Sequence, residues 1–244
     1  MKVEKYLDST YLKTPKQSGL SDSETLVKVR ELTVEAIKHN IFAVMVRPDY
    51  VRSLRMLIDE RNSDVKLGTV IDFPEGRGTL NEKLKEAQAA LTNGADELDF
   101  VIDYHAFKKG NFEKVKEEVE ICSQLVLKAD KIVKWIIETA ALTDAEIVAI
   151  TALIRDIVLE KLSAYPAEKV FVKSSTGFYE TANGEPNGAN EKVVDLMLKN
   201  AGPLSVKASG GVRNLADAEK MIEMGVKRIG TSSALKIVLE KVEK

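Results

Sequence analysis

The architecture of this chain is clearest in three consecutive segments: KVFVKS at Lys169–Ser174, KVVDLMLKN at Lys192–Asn200 and LSVKAS at Leu204–Ser209. The first and third segments are short and rich in apolar and β-branched residues, which is typical of buried strands. The second repeats its apolar residues at helical spacing. A strand, a helix and a second strand in this order predict a βαβ unit with two parallel strands.

The same alternation of strand and helix continues along the 244 residues. Further strand-like runs are Lys5–Ser9, Ile41–Val46, Lys66–Ile71, Glu97–Ile102, Ile132–Glu138 and Val226–Thr231. Further helical patterns are Ser23–His39, Leu80–Asn93, Phe112–Ala129, Asp144–Leu162 and Ala216–Met224. Eight such units in a chain of about 240 residues predict an α/β fold, a (β/α)8 barrel, with residues 1–244 in one domain. A doubly wound open sheet is the alternative, but the glycine-rich turn expected after its first strand is missing from LDSTYLKT at 7–14.

Composition limits the partners of the protein. Hydrophobic residues make up 44% and charged residues 30%, and the net charge is −2, so we expect a globular protein without an overall attraction to nucleic acid or anionic membranes. No stretch approaches the ~20 apolar residues of a spanning helix, and MKVEKYLDSTYLK has no apolar signal-peptide region. The single cysteine, Cys122, excludes an internal disulfide and is predicted to be a core residue. We therefore expect a cytoplasmic protein.

Several of the predicted strands contain charged residues on one face. Strand side chains alternate between two faces, and apolar residues such as Val170 and Val172 are expected to pack against the helices. The other parity then points into the barrel, and it contains Asp99, Lys134, Glu138, Lys173 and Lys207. An unpaired buried charge costs several kcal/mol, so these groups must pair with one another or form a site. Barrel active sites lie at the carboxyl ends of the strands, where Asp99, Lys173 and Lys207 are predicted.

Two lysines beside one aspartate favour chemistry over a purely structural layer of ion pairs, which is the alternative. A free lysine has a pKa of ~10.4, but a neighbouring ammonium and desolvation can bring it to ~7–8. The neutral amine can then attack an aldehyde and form an imine. A metal-dependent reaction is disfavoured because the two histidines, His39 and His105, are far apart in the sequence. We expect neither a metal nor a cofactor.

Three glycine- and serine-rich segments follow the last three predicted strands: Ser175–Gly177, Ser209–Gly211 and Gly230–Ser233. Glycines allow backbone N–H groups to approach a ligand, and the loops after strands seven and eight often bind phosphate in barrels. Together the segments predict a phosphate site beside the two lysines.

At these residues the chain resembles the deoxyribose-phosphate aldolase family over nearly its whole length. The matching segments are YLDSTYLKT (6–14), GTVIDFPEG (68–76), GADELDFVID (94–103), WIIETAALTD (135–144), VFVKSSTGF (170–178), VKASGGVRNLADA (206–218) and RIGTSSA (228–234). The resemblance implies a class I aldolase that reversibly cleaves 2-deoxy-D-ribose 5-phosphate to acetaldehyde and D-glyceraldehyde 3-phosphate. It implies no cofactor, and it is compatible with a homodimer or a higher homo-oligomer.

The resemblance also implies roles for particular residues. Lys173 would form the Schiff base, Lys207 would lower its pKa, Asp99 would relay protons and Lys134 would act near the carbinolamine. The implied substrate- and phosphate-binding positions are Asp8, Thr176, Gly177, Gly210, Gly211, Ser232 and Ser233.

Three features depart from the family pattern. Met45 stands where several members have a cysteine, Asp72 replaces a residue that is often small, and the loop Tyr179–Asn190 is longer and more polar than usual. Two other functions stay open at this stage. One is a Schiff-base aldolase or transaldolase acting on another phosphosugar, and the other is a barrel that binds a sugar phosphate without catalysis.

Overall fold

The computed structural model describes residues 2–184 and 187–242. In this part of the chain, eight parallel strands close into a barrel in sequence order. The strands are β1 (Leu7–Thr10), β2 (Ala43–Val46), β3 (Lys66–Ile71), β4 (Glu97–Val101), β5 (Ile132–Ile136), β6 (Val170–Lys173), β7 (Ser205–Ser209) and β8 (Arg228–Thr231). The predicted (β/α)8 barrel is therefore confirmed, and closure excludes the open-sheet alternative.

Helices cover the outside of the barrel. They are α1 (Pro15–Ser18), α2 (Asp22–Lys38), α3 (Val51–Glu60), α4 (Leu80–Thr92), α5 (Tyr104–Lys108), α6 (Phe112–Lys128), α7 (Asp144–Lys161), α8 (Glu191–Ala201), α9 (Leu215–Met224) and α10 (Ala234–Val242). The predicted helices are present, whereas α1, α3, α5 and α10 were not predicted. The first strand also begins later than predicted, because residues 3–6 form a 3-10 turn before it.

Local sequence signals explain where several helices begin and end. Ser21, Thr79 and Thr143 each accept a hydrogen bond from the backbone N–H three residues later, and the glutamate at that position bonds back to the backbone N–H of the capping residue. These capping boxes satisfy N–H groups that have no partner within the helix. Gly225 ends α9 with a φ of +112°, a conformation that glycine adopts more readily than other residues.

The main core lies between the barrel and the helices. Trp135 of β5 stacks on Phe100 of β4 at 5.0 Å and donates a hydrogen bond to Ser123 of α6 at 2.9 Å. Cys122 of α6 is buried in the same layer, as predicted. The lumen contains charged residues and, as a separate group, the small apolar cluster of Leu12, Met45 and Val70. Among the described residues, no helix is long and apolar enough to cross a membrane.

Candidate active site

The two lysines predicted to face the lumen lie side by side on adjacent strands. Lys173 ends β6 and is paired in register with Lys207 of β7. The Nζ atoms of both lysines donate hydrogen bonds of 3.0 Å to the same oxygen, Oδ2 of Asp99. Asp99 and Lys207 are fully buried, and Lys173 is 3% exposed. The alternation of side chains along the strands therefore brought all three groups to one point inside the barrel.

Two further predicted residues extend this cluster. Lys134 of β5 donates a hydrogen bond of 2.6 Å to Asp99 Oδ1, and its Nζ is 2.7 Å from Glu97 Oε2. Asp8 of β1 lies on the other side, with Oδ2 2.6 Å from Lys207 Nζ. Asp8 is fully buried among these charges and does not line the cavity above them. Asp8 is therefore a partner of Lys207, and its predicted place among the substrate-binding residues stays a prediction.

Two members of the network were missed by the sequence analysis. Arg228 of β8 donates hydrogen bonds of 2.7 Å to Asp8 Oδ1 and 2.5 Å to Glu97 Oε1, and its guanidinium lies 3.6 Å from the ring centre of Phe42. The sequence did contain a signal for Glu97, because Glu97 precedes Asp99 by two residues and so shares its face of the strand. The expectation of two lysines against a single aspartate was incomplete, since Asp8 and Glu97 add negative charge below the site.

The position of Lys173 in this network determines its protonation. Burial lowers the pKa of Lys173 to about 8, with further lowering by the ammonium groups of Lys207 and Lys134, while Asp99 opposes the shift. Burial acts to raise the pKa of Asp99, but Lys134, Lys173 and Lys207 outweigh it and hold that pKa well below its usual value. Near neutral pH the site therefore contains an ionised carboxylate and a lysine with a larger neutral fraction than an ordinary lysine has.

A cavity of about 720 Å³ opens above Lys173 at the carboxyl ends of the strands. Its lining residues include Thr176, Gly177, Gly210, Gly211, Arg213 and Ser232. Ser233 does not line the cavity, and its backbone N–H donates to Thr231 Oγ1 at 3.0 Å. Arg213 was not predicted, although it lies in the VKASGGVR segment, and it adds a positive charge near the glycine loops. The cavity therefore has an amine at its floor and a polar, glycine-rich side.

The loop after β6 is held by Glu138, a residue that shares the lumen parity in the sequence. Its carboxylate accepts hydrogen bonds from the Ser175 hydroxyl at 2.9 Å, the Thr176 backbone N–H at 3.2 Å and the Thr176 hydroxyl. Burial raises the pKa of Glu138 and these hydrogen bonds oppose the shift. The Thr176 side chain is thus engaged within the loop. Gly177 follows with a φ of +77°, which turns the chain back over the cavity.

The three departures from the family pattern lie in different places. Met45 is fully buried in the apolar cluster with Leu12 and Val70. Asp72 accepts a hydrogen bond of 2.8 Å from the Gly78 N–H and lies 3.3 Å from Lys83 Nζ, so it is part of a structural contact outside the lumen. The loop at 179–190 is described except for residues 185–186, which lie outside the described residues.

Within residues 2–184 and 187–242, no group of three or more His, Cys, Asp or Glu side chains is arranged to hold a metal ion. A closed parallel barrel with a buried amine of lowered pKa below a polar cavity defines a barrel enzyme that uses a lysine for covalent chemistry.

Comparison with known proteins identifies the family. The sequence profile of the DeoC/LacD family of aldolases matches residues 5–238. The deoxyribose-phosphate aldolase of Thermococcus gammatolerans is 38% identical over 98% of this chain and 96% of its own length. The corresponding enzyme of Caldicellulosiruptor saccharolyticus is 36% identical over 98% and 97%. The chain belongs to the DeoC/LacD aldolase family. The predicted family and the prediction of an aldolase, which is a lyase, are confirmed.

Solved structures agree with this assignment. An aldolase called QR15 is 32% identical, with a TM-score of 0.81 over 99% of this chain and 96% of that one. The deoxyribose phosphate aldolase of Aeropyrum pernix, described as a unique tetramer, is 31% identical, with a TM-score of 0.78 over 98% and 91%.

Proposed function

We propose that this protein reversibly cleaves 2-deoxy-D-ribose 5-phosphate to acetaldehyde and D-glyceraldehyde 3-phosphate through a Schiff base on Lys173. The observation that carries the proposal is the position of Lys173, whose Nζ lies at the floor of the 720 Å³ cavity and shares Asp99 Oδ2 with Lys207. Its pKa of about 8 supports nucleophilic attack near neutral pH, because about a tenth of the amine is unprotonated at pH 7, far more than for a lysine with an ordinary pKa.

The covalent steps follow from that amine. Neutral Lys173 Nζ attacks C1 of the open-chain aldehyde, and loss of water from the carbinolamine yields a protonated imine. Removal of the C3 hydroxyl proton breaks the C2–C3 bond, and its electron pair moves into the imine to form an enamine. D-glyceraldehyde 3-phosphate leaves, the enamine is protonated at C2, and hydrolysis releases acetaldehyde and the free lysine. Each step conserves its atoms without an external oxidant or reductant.

The carboxylate and the second lysine are assigned to proton transfer. Asp99 alone is a weak base, because the surrounding lysines hold its pKa well below its usual value. Asp99 is in contact with Lys207 at 3.0 Å. We assign to this pair a bound water through which the proton of the C3 hydroxyl is transferred. Lys134 contacts the opposite oxygen of Asp99 at 2.6 Å, and we assign it to orienting the carboxylate.

The phosphate is assigned to the glycine-rich side of the cavity. Gly177, Gly210 and Gly211 have φ values of +77°, +80° and +87°, which turn the backbone so that N–H groups can face a ligand. Ser232 lines the same side, and Arg213 supplies a positive charge that suits a dianion. Ser233, next to Ser232 at the start of α10, stays a predicted phosphate residue.

The other expectations stay predictions: one domain over residues 1–244, action in the cytoplasm, a homodimer or higher homo-oligomer, and a reaction without metal or cofactor. Full activity after prolonged chelator treatment is the expected result for the last of these, and restoration by a divalent ion would contradict it.

Borohydride trapping tests the proposed function directly. Reduction in the presence of deoxyribose 5-phosphate should leave a stable two-carbon or five-carbon adduct on the peptide that contains VFVKSSTGF, because reduction makes the imine permanent. The matched control is the Lys173→Leu variant, in which this peptide should carry no adduct. An adduct on Lys207 in the unaltered protein would reverse the two roles. Activity on ketose phosphates with none on acetaldehyde would favour the other phosphosugar aldolase.

A further inference from the structure

One hydroxyl in the cavity wall, that of Ser209, makes no hydrogen bond within the described part of the chain. Ser209 is 5% exposed, and its Oγ is buried without a hydrogen-bond partner among residues 2–184 and 187–242. A buried hydroxyl without a partner costs free energy, so natural structures usually satisfy such groups with protein, water or ligand. Ser209 also lines the cavity that contains Lys173. The orphaned hydroxyl is therefore available to a bound molecule.

The backbone holds Ser209 in place on both sides. Its N–H donates a hydrogen bond of 2.9 Å to Ser174 Oγ, and the Ser174 hydroxyl donates one of 3.0 Å to the Ser209 carbonyl. The backbone N–H of Ala189 donates to the same carbonyl at 3.0 Å. Because the main chain is fixed by these contacts, the direction of the Cα–Cβ bond is fixed too. Such rigid placement is what a specific contact to a ligand requires.

The side chain points towards the reacting groups. Ser209 follows Lys207 by two residues on β7, so both occupy the lumen face of the strand. On the neighbouring strand β8 stands Gly230, and a Cβ at that position would lie 2.4 Å from Ser209 Oγ and 3.0 Å from Lys207 Cε. Because Gly230 has no side chain, the Ser209 hydroxyl can occupy the space that a Cβ at position 230 would fill. Along the chain, Ser209 lies between Lys207 and the Gly210–Gly211 turn.

We propose that Ser209 determines specificity by hydrogen bonding to the C4 hydroxyl of the substrate, which becomes the C2 hydroxyl of the phosphorylated three-carbon aldehyde. The inference rests on the proposed function. With C1 on Lys173, the C3 hydroxyl beside Asp99 and the phosphate on the glycine turns, C4 is the carbon between the reacting centre and the phosphate. Along β7, Ser209 likewise comes between Lys207, beside the reacting centre, and the Gly210–Gly211 turn assigned to the phosphate.

The experiment measures aldol synthesis from acetaldehyde with two acceptors, D-glyceraldehyde 3-phosphate and 3-oxopropyl phosphate, which lacks the C2 hydroxyl. In Ser209→Ala, kcat/KM should fall about tenfold with the hydroxylated acceptor, the effect expected for one hydrogen bond. With 3-oxopropyl phosphate it should change less than about twofold, because that acceptor has no hydroxyl to lose. The melting temperature without substrate should be unchanged or higher, because Ala removes an unsatisfied group.

Ser205→Ala is the matched control. Ser205 lies on the same strand and face, but its hydroxyl donates to the Glu168 carbonyl at 3.0 Å and does not line the cavity. Its acceptor preference should match the unaltered protein. Equal losses on both acceptors in Ser209→Ala, or a lower melting temperature without substrate, would overturn the inference. If the unaltered protein joins acetaldehyde to neither acceptor, the proposed function fails, and this inference fails with it.

Discussion

Two regions of this protein bury lysine side chains, and the surroundings of the ammonium groups differ between them. In the lumen, Lys173 and Lys207 share one oxygen of Asp99, and Lys134 holds the other. Between α4 and α6, Lys83 contacts Glu118, Asp72 at 3.3 Å and the Val101 and Gly76 carbonyls at 2.8 and 3.2 Å.

The difference lies in how many acceptors each ammonium has. Among the described residues, Lys83 has four oxygen partners, so its charge is well compensated. Among the described residues, the Lys173 ammonium contacts only a shared carboxylate oxygen. Other ammonium groups lie nearby, and burial together with these charges lowers the pKa of Lys173 to about 8. Burial alone therefore does not make a lysine reactive; scarcity of acceptors and nearby like charge must accompany it.

The largest effect is expected from Lys173→Leu. Without the nucleophile no imine can form, so activity should fall at least about 10⁴-fold at every pH. Steady-state kinetics from pH 6 to 10 and borohydride trapping check this. The folded protein should not be less stable, since the variant removes a buried amine with incomplete compensation. Residual activity that rises with pH as in the unaltered protein would mean that another lysine forms the imine.

Lys207→Leu should have the next largest effect and should change the pH profile. Deleting this ammonium raises the pKa of Lys173 and frees the Asp99 carboxylate to stabilise its charged form. The free-amine fraction at neutral pH falls about tenfold for each pKa unit gained. The rising limb of kcat/KM should therefore move to higher pH, and the deficit of about 10²–10⁴-fold should shrink as pH increases. An acid limb that stays in place would make Lys207 a proton-relay residue only.

Lys83→Met should affect stability and spare the chemistry. The change leaves Glu118 buried without its partner, which is expected to cost about 3–5 kcal/mol in the free energy of unfolding. Denaturant unfolding measures the loss, and Lys85→Met is the control because Lys85 is exposed on the same helix. The pKa that governs the acid limb of kcat/KM should not move. A shift of that limb would show that the two buried lysine sites are coupled.

The smallest effect concerns the pH dependence of stability. Burial raises the pKa of Glu118 from 4.5 to about 7 despite the opposing charge of Lys83. A raised folded-state pKa stabilises the protein below about pH 4.5, and this contribution is lost as pH rises through 7, on the order of 3 kcal/mol.

In Glu118→Gln that contribution is absent. The difference in unfolding free energy between the unaltered protein and the variant should therefore decrease between pH 4.5 and 8. Glu117→Gln, exposed on the same helix, should give a constant difference. A constant difference for Glu118→Gln as well would place its pKa near the ordinary value.

The same two regions show how far sequence reasoning reached. Strict alternation along a strand predicted that Asp99, Lys134, Lys173 and Lys207 face one lumen, because each strand has only two faces. Lys83 gave no such signal, since it lies among Glu82, Lys85 and Glu86 in a helix that looks solvated. Its burial follows from the packing of α4 on α6, where it shares a face with Ala87 and Ala90.

By itself the sequence determined the succession of strands and helices, the parity of the lumen residues and the glycine segments at the strand ends. Those features depend on neighbours a few residues apart. Only the tertiary structure decided that Asp99 Oδ2 is shared by Lys173 and Lys207, that Arg228 joins Asp8 to Glu97, and that the Ser209 hydroxyl has no partner in the described part of the chain. The alignment of distant strands around a closed barrel sets those contacts, and it arises from the packing of all eight strands together.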